Sequence, residues 1–231
     1  MIHNIHRNVQ NIRDRIRRAA ERCGRDPDTV CLVAVSKTVG IDRVREAIAA
    51  GATILGENYV QEAREKINAL SSHDISWHFI GHLQSNKAKF AVRLFDLIHS
   101  VDSLKLAREI NKQAAKAAKR QDILVQVNIA GETTKSGIPK AETVRLVKDI
   151  SRLENLTIRG LMTMPPFFNA PDKVRPFFTG LRNLADRIRE EGIPDAAMDE
   201  LSMGMTGDFE VAIKEGATLV RVGTAIFGER S

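Results

Sequence analysis

Two residues stand in settings that promise chemistry, Lys37 and Arg221. Lys37 closes the apolar run Val30-Cys31-Leu32-Val33-Ala34-Val35 through Ser36, so its ammonium either reaches out to water or is partly desolvated. Desolvation favours the neutral amine, and a neutral lysine is a nucleophile for carbonyls, with Schiff-base formation on an aldehyde its usual use. By itself the position fits a solvated lysine better. Arg221 shifts that balance. It lies inside Thr218-Leu219-Val220-Arg221-Val222, where an arginine stays charged and needs an acceptor, and a pyridine nitrogen or a carboxylate would serve.

The elements that must hold these residues alternate along the chain. Short apolar runs predict strands at 31–36, 53–56, 77–80, 97–100, 123–128, 157–162, 200–202 and 218–222. Helical patterns separate them at about 41–50, 58–70, 86–95, 103–119, 140–152, 172–191 and 207–215. Ahead of them, Ile2, Ile5, Val9, Ile12, Ile16, Ala19 and Cys23 recur at steps of three and four, an amphipathic helix. Eight strands in strict alternation predict a (β/α)8 TIM-type barrel with an additional N-terminal amphipathic helix, residues 1–231 forming one domain. An open doubly wound sheet is the competing architecture, but no Gly-x-Gly-x-x-Gly follows any strand.

In such a barrel function gathers where the strands end. The residues there include Ser36-Lys37-Thr38, Gly56-Glu57-Asn58-Tyr59, Gly81-His82, Met162-Thr163-Met164, Ser202-Met203-Gly204-Met205 and Gly223-Thr224. Barrels often hold a phosphate with the loops after their last two strands, where Ser202 offers a hydroxyl, Gly204 and Gly207 allow close backbone approach, and Gly223-Thr224-Ala225-Ile226-Phe227-Gly228 reads as a short helix with its amides pointing outward. Ordinary βα turns explain these glycines equally well. The histidines read as structural: His78 as a packed strand residue, and His3, His6, His73 and His99 without metal-ligand spacing. Met162, Met164, Met203 and Met205 are core filler on the same reading, and Lys87 and Lys135 are solvated.

Taken together, Val35-Ser36-Lys37-Thr38, Gly56-Glu57-Asn58-Tyr59-Val60-Gln61-Glu62, Trp77-His78-Phe79-Ile80-Gly81-His82-Leu83-Gln84-Ser85-Asn86-Lys87, Gly160-Leu161-Met162-Thr163-Met164, Leu201-Ser202-Met203-Gly204-Met205 and Val220-Arg221-Val222-Gly223-Thr224-Ala225-Ile226-Phe227-Gly228 resemble the pyridoxal phosphate homeostasis proteins, single-domain relatives of the alanine racemase barrel. The resemblance implies pyridoxal 5′-phosphate (PLP) as cofactor, bound to Lys37 as an internal aldimine. It also implies Ser202, Gly223 and Thr224 around the phosphate, Arg221 facing the pyridine nitrogen, and Asn58, His82 and Met162 lining the pocket. One departure is Gly40, preceded by Val39, where the family commonly has Pro; it leaves the stiffness of the lysine loop open.

An arginine opposite the ring nitrogen keeps that nitrogen unprotonated and weakens the cofactor as an electron sink. Racemisation also needs a second base, which in alanine racemases is a tyrosine from the second domain of the partner subunit. This chain is expected to lack that domain, and its one tyrosine, Tyr59, is in the barrel. The expected function is therefore PLP binding in cofactor homeostasis and amino-acid and keto-acid balance, without turnover, with PLP-dependent apoenzymes as partners. A racemase using His82 or Tyr59 is the alternative, ahead of a lysine aldolase and of an RNA or membrane adaptor acting through the first helix.

Charge and composition bound the rest. Of the net charge of +6, residues 1–25 carry most, with seven arginines against Asp14 and Glu21, so the remainder is near neutral. Without interleaved aromatics this basic helix reads as a solvated face, and neither nucleic acid nor membrane is an expected partner. Asp14 and Glu21 interrupt any signal-peptide core, and Cys23 and Cys31 lack Cys-x-x-Cys spacing, so a reducing cytoplasm, no metal and a monomer are expected.

Overall fold

The computed structural model describes residues 4–132, 135–166, 168 and 170–229; Ile2, expected in the first helix, and His3, read as lacking metal-ligand spacing, lie outside the described residues. Helix α1 (Ile5–Glu21) begins where the Asn4 side chain accepts a hydrogen bond from the Arg7 amide at 2.9 Å. Its buried stripe is Ile5, Val9, Ile12, Ile16, Ala19 and Ala20. Cys23 does not share it. The helix stops at Glu21, Gly24 turns the chain with φ +71°, and Cys23 is exposed.

From there strands and helices alternate: β1 (Cys31–Val35), α2 (Ile41–Ala49), β2 (Ile54–Glu57), α3 (Val60–Ala69), β3 (Ser76–Phe79), α4 (Ala88–Leu94), β4 (Leu97–Val101), α5 (Leu104–Lys116) and β5 (Gln121–Asn128). Then follow β6 (Ile138–Pro139), α6 (Thr143–Ile150), β7 (Leu156–Met162), α7 (Arg175–Glu190), β8 (Ala196–Ser202), α8 (Phe209–Lys214), β9 (Leu219–Val222) and α9 (Thr224–Phe227). The parallel order β4-β3-β2-β1-β9-β8-β7-β5 closes through β4 on β5, a (β/α)8 barrel. The short β6 adds a ninth strand outside the ring, pairing only with the end of β5.

Besides the added β6, strand β8 departs furthest from expectation. Strand β8 starts four residues earlier than its pattern suggests, at Ala196, because Asp195 and Met198 take left-handed backbone (φ 55° and 57°) and break the two-residue alternation. Its register against β7 slips between Ile158 and Gly160, and a Cβ on Gly160 would lie 1.8 Å from the Glu200 carbonyl oxygen, so only glycine fits there.

The barrel interior holds an apolar plug of Val33, Leu97, Leu124, Met162 and Leu219 with Ile54 packed against it. Two residues further along a strand the same face recurs, and there Leu97 and Leu219 give way to His99 and Arg221. The polar layer thus rests on the plug and opens toward the strand ends. Outside, α1 packs on α2, α8 and α9. Its arginines are partly structural: Arg15 grips Glu210 at 2.9 and 3.1 Å, and Arg25, just beyond the helix, reaches the carbonyls of Ile213 and Ala217 at 2.8 and 2.9 Å. Among the described residues no helix is long and apolar enough to cross a membrane.

Candidate functional site

Lys37 leaves the end of β1 half-buried and borders a cleft of about 200 Å³ that it shares with Val35, Thr38, Arg43, Gly223 and Thr224. The next residue, Thr38, has φ +62°, an unusual left-handed conformation for a β-branched side chain. The loop after β9 reaches this cleft because Gly223 lies against β1: an added Cβ would meet Val35 Cβ and O at 3.3 Å. The loop after β8 joins the same rim, where Thr224 Oγ1 donates to Thr206 Oγ1 at 3.1 Å. That loop turns at Gly204, whose φ is +89° and whose missing Cβ would lie 2.6 Å from Ala212 Cβ and 2.9 Å from Phe209 Cα.

Behind the rim lies a second group. Arg221 is 4% exposed, and its Nη1 donates to Ser202 Oγ while Nη2 donates to the Thr163 carbonyl at 2.9 Å. Both partners are neutral, and among the described residues no carboxylate lies within ion-pair distance of Arg221. Burial pushes the guanidinium down to about 10, with Asp208 acting in the opposite direction, so it remains charged at neutral pH. Ser202 Oγ also meets His99 Nδ1 at 2.9 Å, and His99 Nε2 meets His78 Nδ1 at 3.0 Å. A guanidinium can only donate, so the arrangement that spends every hydrogen sends the Ser202 proton to His99 Nδ1 and the His99 Nε2 proton to His78. Both rings are then neutral, as their surroundings require: burial, partly opposed by Asp96, pushes His78 down to about 4, and burial with His78 and Arg221 nearby pushes His99 well below its ordinary value.

The residues expected at the site therefore divide. Lys37, Gly223 and Thr224 meet at one cleft, while Arg221 and Ser202 meet beneath it. Ser202 is fully buried, with both its partners inside the barrel; the hydroxyl beside Thr224 belongs to Thr206. Met162 is part of the apolar plug. Asn58 presses its backbone against Gly81, and its buried Oδ1 has no hydrogen-bond partner among the described residues. His82 is exposed and borders a different, open cleft with Asp102 and Lys105. His78, read from sequence as a packed strand residue, and His99, read only as lacking metal-ligand spacing, together form the polar relay behind Arg221. The available signal was that His99 stands two residues after Leu97, on the inner face.

Fold and cleft define a lysine-bearing (β/α)8 barrel, and residues 7–231 match the family described as alanine racemase, N-terminal domain. The chain belongs to that family and, within it, to the pyridoxal phosphate homeostasis proteins. A relative of that name from Aquifex aeolicus is 45% identical over 222 residues, covering 96% of both chains. Among solved structures, an unknown protein from Bifidobacterium adolescentis superposes with a TM-score of 0.91 at 38% identity, covering 97% of this chain and 94% of that one. PipY of Synechococcus elongatus, with PLP bound, is also 38% identical, with a TM-score of 0.82 and coverage of 94% of this chain and 100% of its own.

Proposed function

We propose that this protein binds PLP through Lys37 and takes part in PLP homeostasis without turnover of its own. The observation that carries the reading is the shared cleft of Lys37, Gly223 and Thr224 at the end of the strand that carries Arg221, a buried arginine hydrogen-bonded to neutral partners. The donor set fits the cofactor. An amine suits the aldehyde, the Thr206 and Thr224 hydroxyls suit a phosphate, the orphaned Asn58 oxygen can accept a hydrogen bond, and Arg221 can donate to a ring nitrogen. When bound, PLP would supply an electron-withdrawing ring and a reactive carbonyl. Lys37 would supply the amine that holds the cofactor's aldehyde carbon, with water as the by-product.

Ser202 is better read as a support for Arg221 than as a phosphate ligand, and Thr206 takes that role beside Gly223 and Thr224. A charged Arg221, held by Ser202 and Thr163, would donate to the ring nitrogen and oppose its protonation. Asn58, His82 and Met162 remain proposed as wall residues, Met162 from below and His82 only from the rim. Turnover would need a base over the substrate. Neither Tyr59, 56% exposed, nor His82 borders the Lys37 cleft, and the buried histidines are committed behind Arg221. The names of the relatives point the same way, and PLP-dependent apoenzymes are the proposed recipients.

The test is absorbance. Protein mixed with PLP should gain a visible band, and borohydride should fix the added mass on Lys37; Lys37→Ala should show neither. A protein that stays colourless and takes up no PLP would reject the reading. Turnover of a chiral amino acid that disappears with Lys37→Ala would overturn the part that excludes catalysis.

A further inference from the structure

Beneath the lysine loop lies a cluster of ionisable groups that the proposed function does not use. The Lys66 ammonium, on α3 and 4% exposed, bonds Glu57 Oε1 at 2.7 Å and Glu62 Oε1 at 2.7 Å. It also donates to the carbonyl oxygen of Ser36 at 2.5 Å. Ser36 Oγ donates to Glu57 Oε1 at 2.6 Å, and the Thr38 amide donates to Glu62 Oε1 at 2.6 Å. The peptide oxygen of the residue before Lys37 and the peptide nitrogen of the residue after it are therefore both held by one cluster.

Two physical points give this arrangement meaning. Burying an ammonium with two carboxylates is a poor device for stability, because desolvation cancels most of the attraction. Glu57 makes the cost visible: its Oε2 is buried without a partner among the described residues, and burial, only partly countered by Lys66, raises its pKa. The second point is Thr38, whose left-handed backbone persists only if its surroundings hold it. The bond from its amide to Glu62 does that. Gly40, which leaves the loop without the rigidity of a proline, makes such a hold more important.

We propose that Glu62 and Lys66 are positioning residues that clamp the peptides on either side of Lys37 and so aim its amine into the cleft. This inference rests on the proposed function for what Lys37 is aimed at, and on the hydrogen bonds alone for the clamp. The clamp ties the loop after β1 to α3, so the lysine is presented by two neighbouring βα units.

Glu62→Ala removes the acceptor for Thr38, whereas Glu62→Gln keeps an oxygen there and removes only the charge. Stopped-flow absorbance after mixing with PLP reads the rate of attachment to Lys37. Hydrogen exchange of the segment 36–40, without PLP, reads the clamp. Affinity for PLP in a Lys37→Ala background reads the rest of the pocket. Glu62→Ala is expected to slow attachment on the order of tenfold to a hundredfold, the scale of a misplaced reacting group. It should also lose protection at the Thr38 amide and leave the Lys37→Ala affinity unchanged. Glu62→Gln should attach PLP at the wild-type rate, and Lys66→Met should slow it.

Attachment by Glu62→Ala at the wild-type rate would overturn the proposal, as would equal slowing by the alanine and glutamine variants or an equal loss of affinity in the Lys37→Ala background. Wild-type protein that never colours with PLP would instead refute the proposed function. Exchange at Thr38 would still decide whether the clamp exists.

Discussion

Replacing His78 with asparagine should flatten the acid side of the stability profile. Burial holds the His78 imidazole at about 4 in the folded protein against an ordinary value of 6.5, with Asp96 opposing the shift only in part. Between those values the unfolded chain binds a proton that the folded chain refuses, so stability is lost as pH falls from about 6.5 toward 4. The full difference corresponds to about 3 kcal/mol, of which about 2 kcal/mol develops between pH 7.5 and pH 5. His99 pulls in the same direction, being buried more deeply and sharing a hydrogen bond with His78, so the pair titrates as a unit. Glu57, raised by burial, acts oppositely: its contribution is complete at low pH and is lost as pH rises through its folded pKa. Both proteins carry Glu57, so it cancels between them. Urea unfolding followed by circular dichroism at the two pH values, at one ionic strength, gives the comparison. His78→Asn keeps a polar side chain for His99 to meet, and its loss of stability between the two pH values should be smaller than that of the parent by about 2 kcal/mol. An identical loss in the two proteins would mean that the folded protein already accepts the proton at His78, and the neutral relay behind Arg221 would be wrong.

Two further outcomes test the rim and the turn. Thr206→Ala should weaken equilibrium PLP binding by ~1.5–3 kcal/mol, the worth of a hydrogen bond to a charged group, while Ser202→Ala should instead lower stability by ~1–3 kcal/mol by leaving Arg221 and His99 short of a partner. PLP titrations and urea melts of both variants check this, and a binding loss confined to Ser202→Ala would restore Ser202 to the phosphate. Gly204→Ala should destabilise by ~1–3 kcal/mol, since the new methyl would meet Ala212 Cβ at 2.6 Å in a left-handed backbone; an unchanged thermal midpoint would show that the turn can relax.

The barrel was legible because its strands bury residues on both faces and therefore read as largely apolar runs, as at Val33 and Ala34 of β1 and in β9, where Arg221 is the one polar residue of Leu219–Val222. The parts that escaped were those where backbone geometry interrupts the pattern. Strand β8 looked three residues long because its bulge at Met198 destroys alternation, and β6 escaped because two residues carry no periodicity. Cys23 continued the spacing of α1 on paper, but a helix end is set by its closing turn and not by the stripe.

The same bulge explains why Arg221 could be placed on the inner face by counting along its strand and Ser202 could not. Along a regular strand, parity decides which side chains enter the barrel, and Arg221, two residues beyond Leu219 in an unbroken β9, could be placed inside by counting. Across Met198 that count fails, since a left-handed residue resets the alternation, so Ser202 could not be assigned to the interior or the rim from its distance to the strand start. In the sequence Ser202 and Thr206 are both hydroxyls near Gly204. In three dimensions they do different work: Ser202 bonds Arg221 and His99 inside the barrel, and Thr206 faces Thr224 at the opening. The glycines follow the same logic. From sequence Gly204 reads as a place for backbone to approach a phosphate and Gly223 as the start of a short helix beside one, yet each is required first by the protein itself, Gly204 against α8 and Gly223 against Val35. Their packing brings the two loops onto the rim that Lys37 borders, and a phosphate site there would be a consequence of how β8 and β9 hand the chain back to the helices.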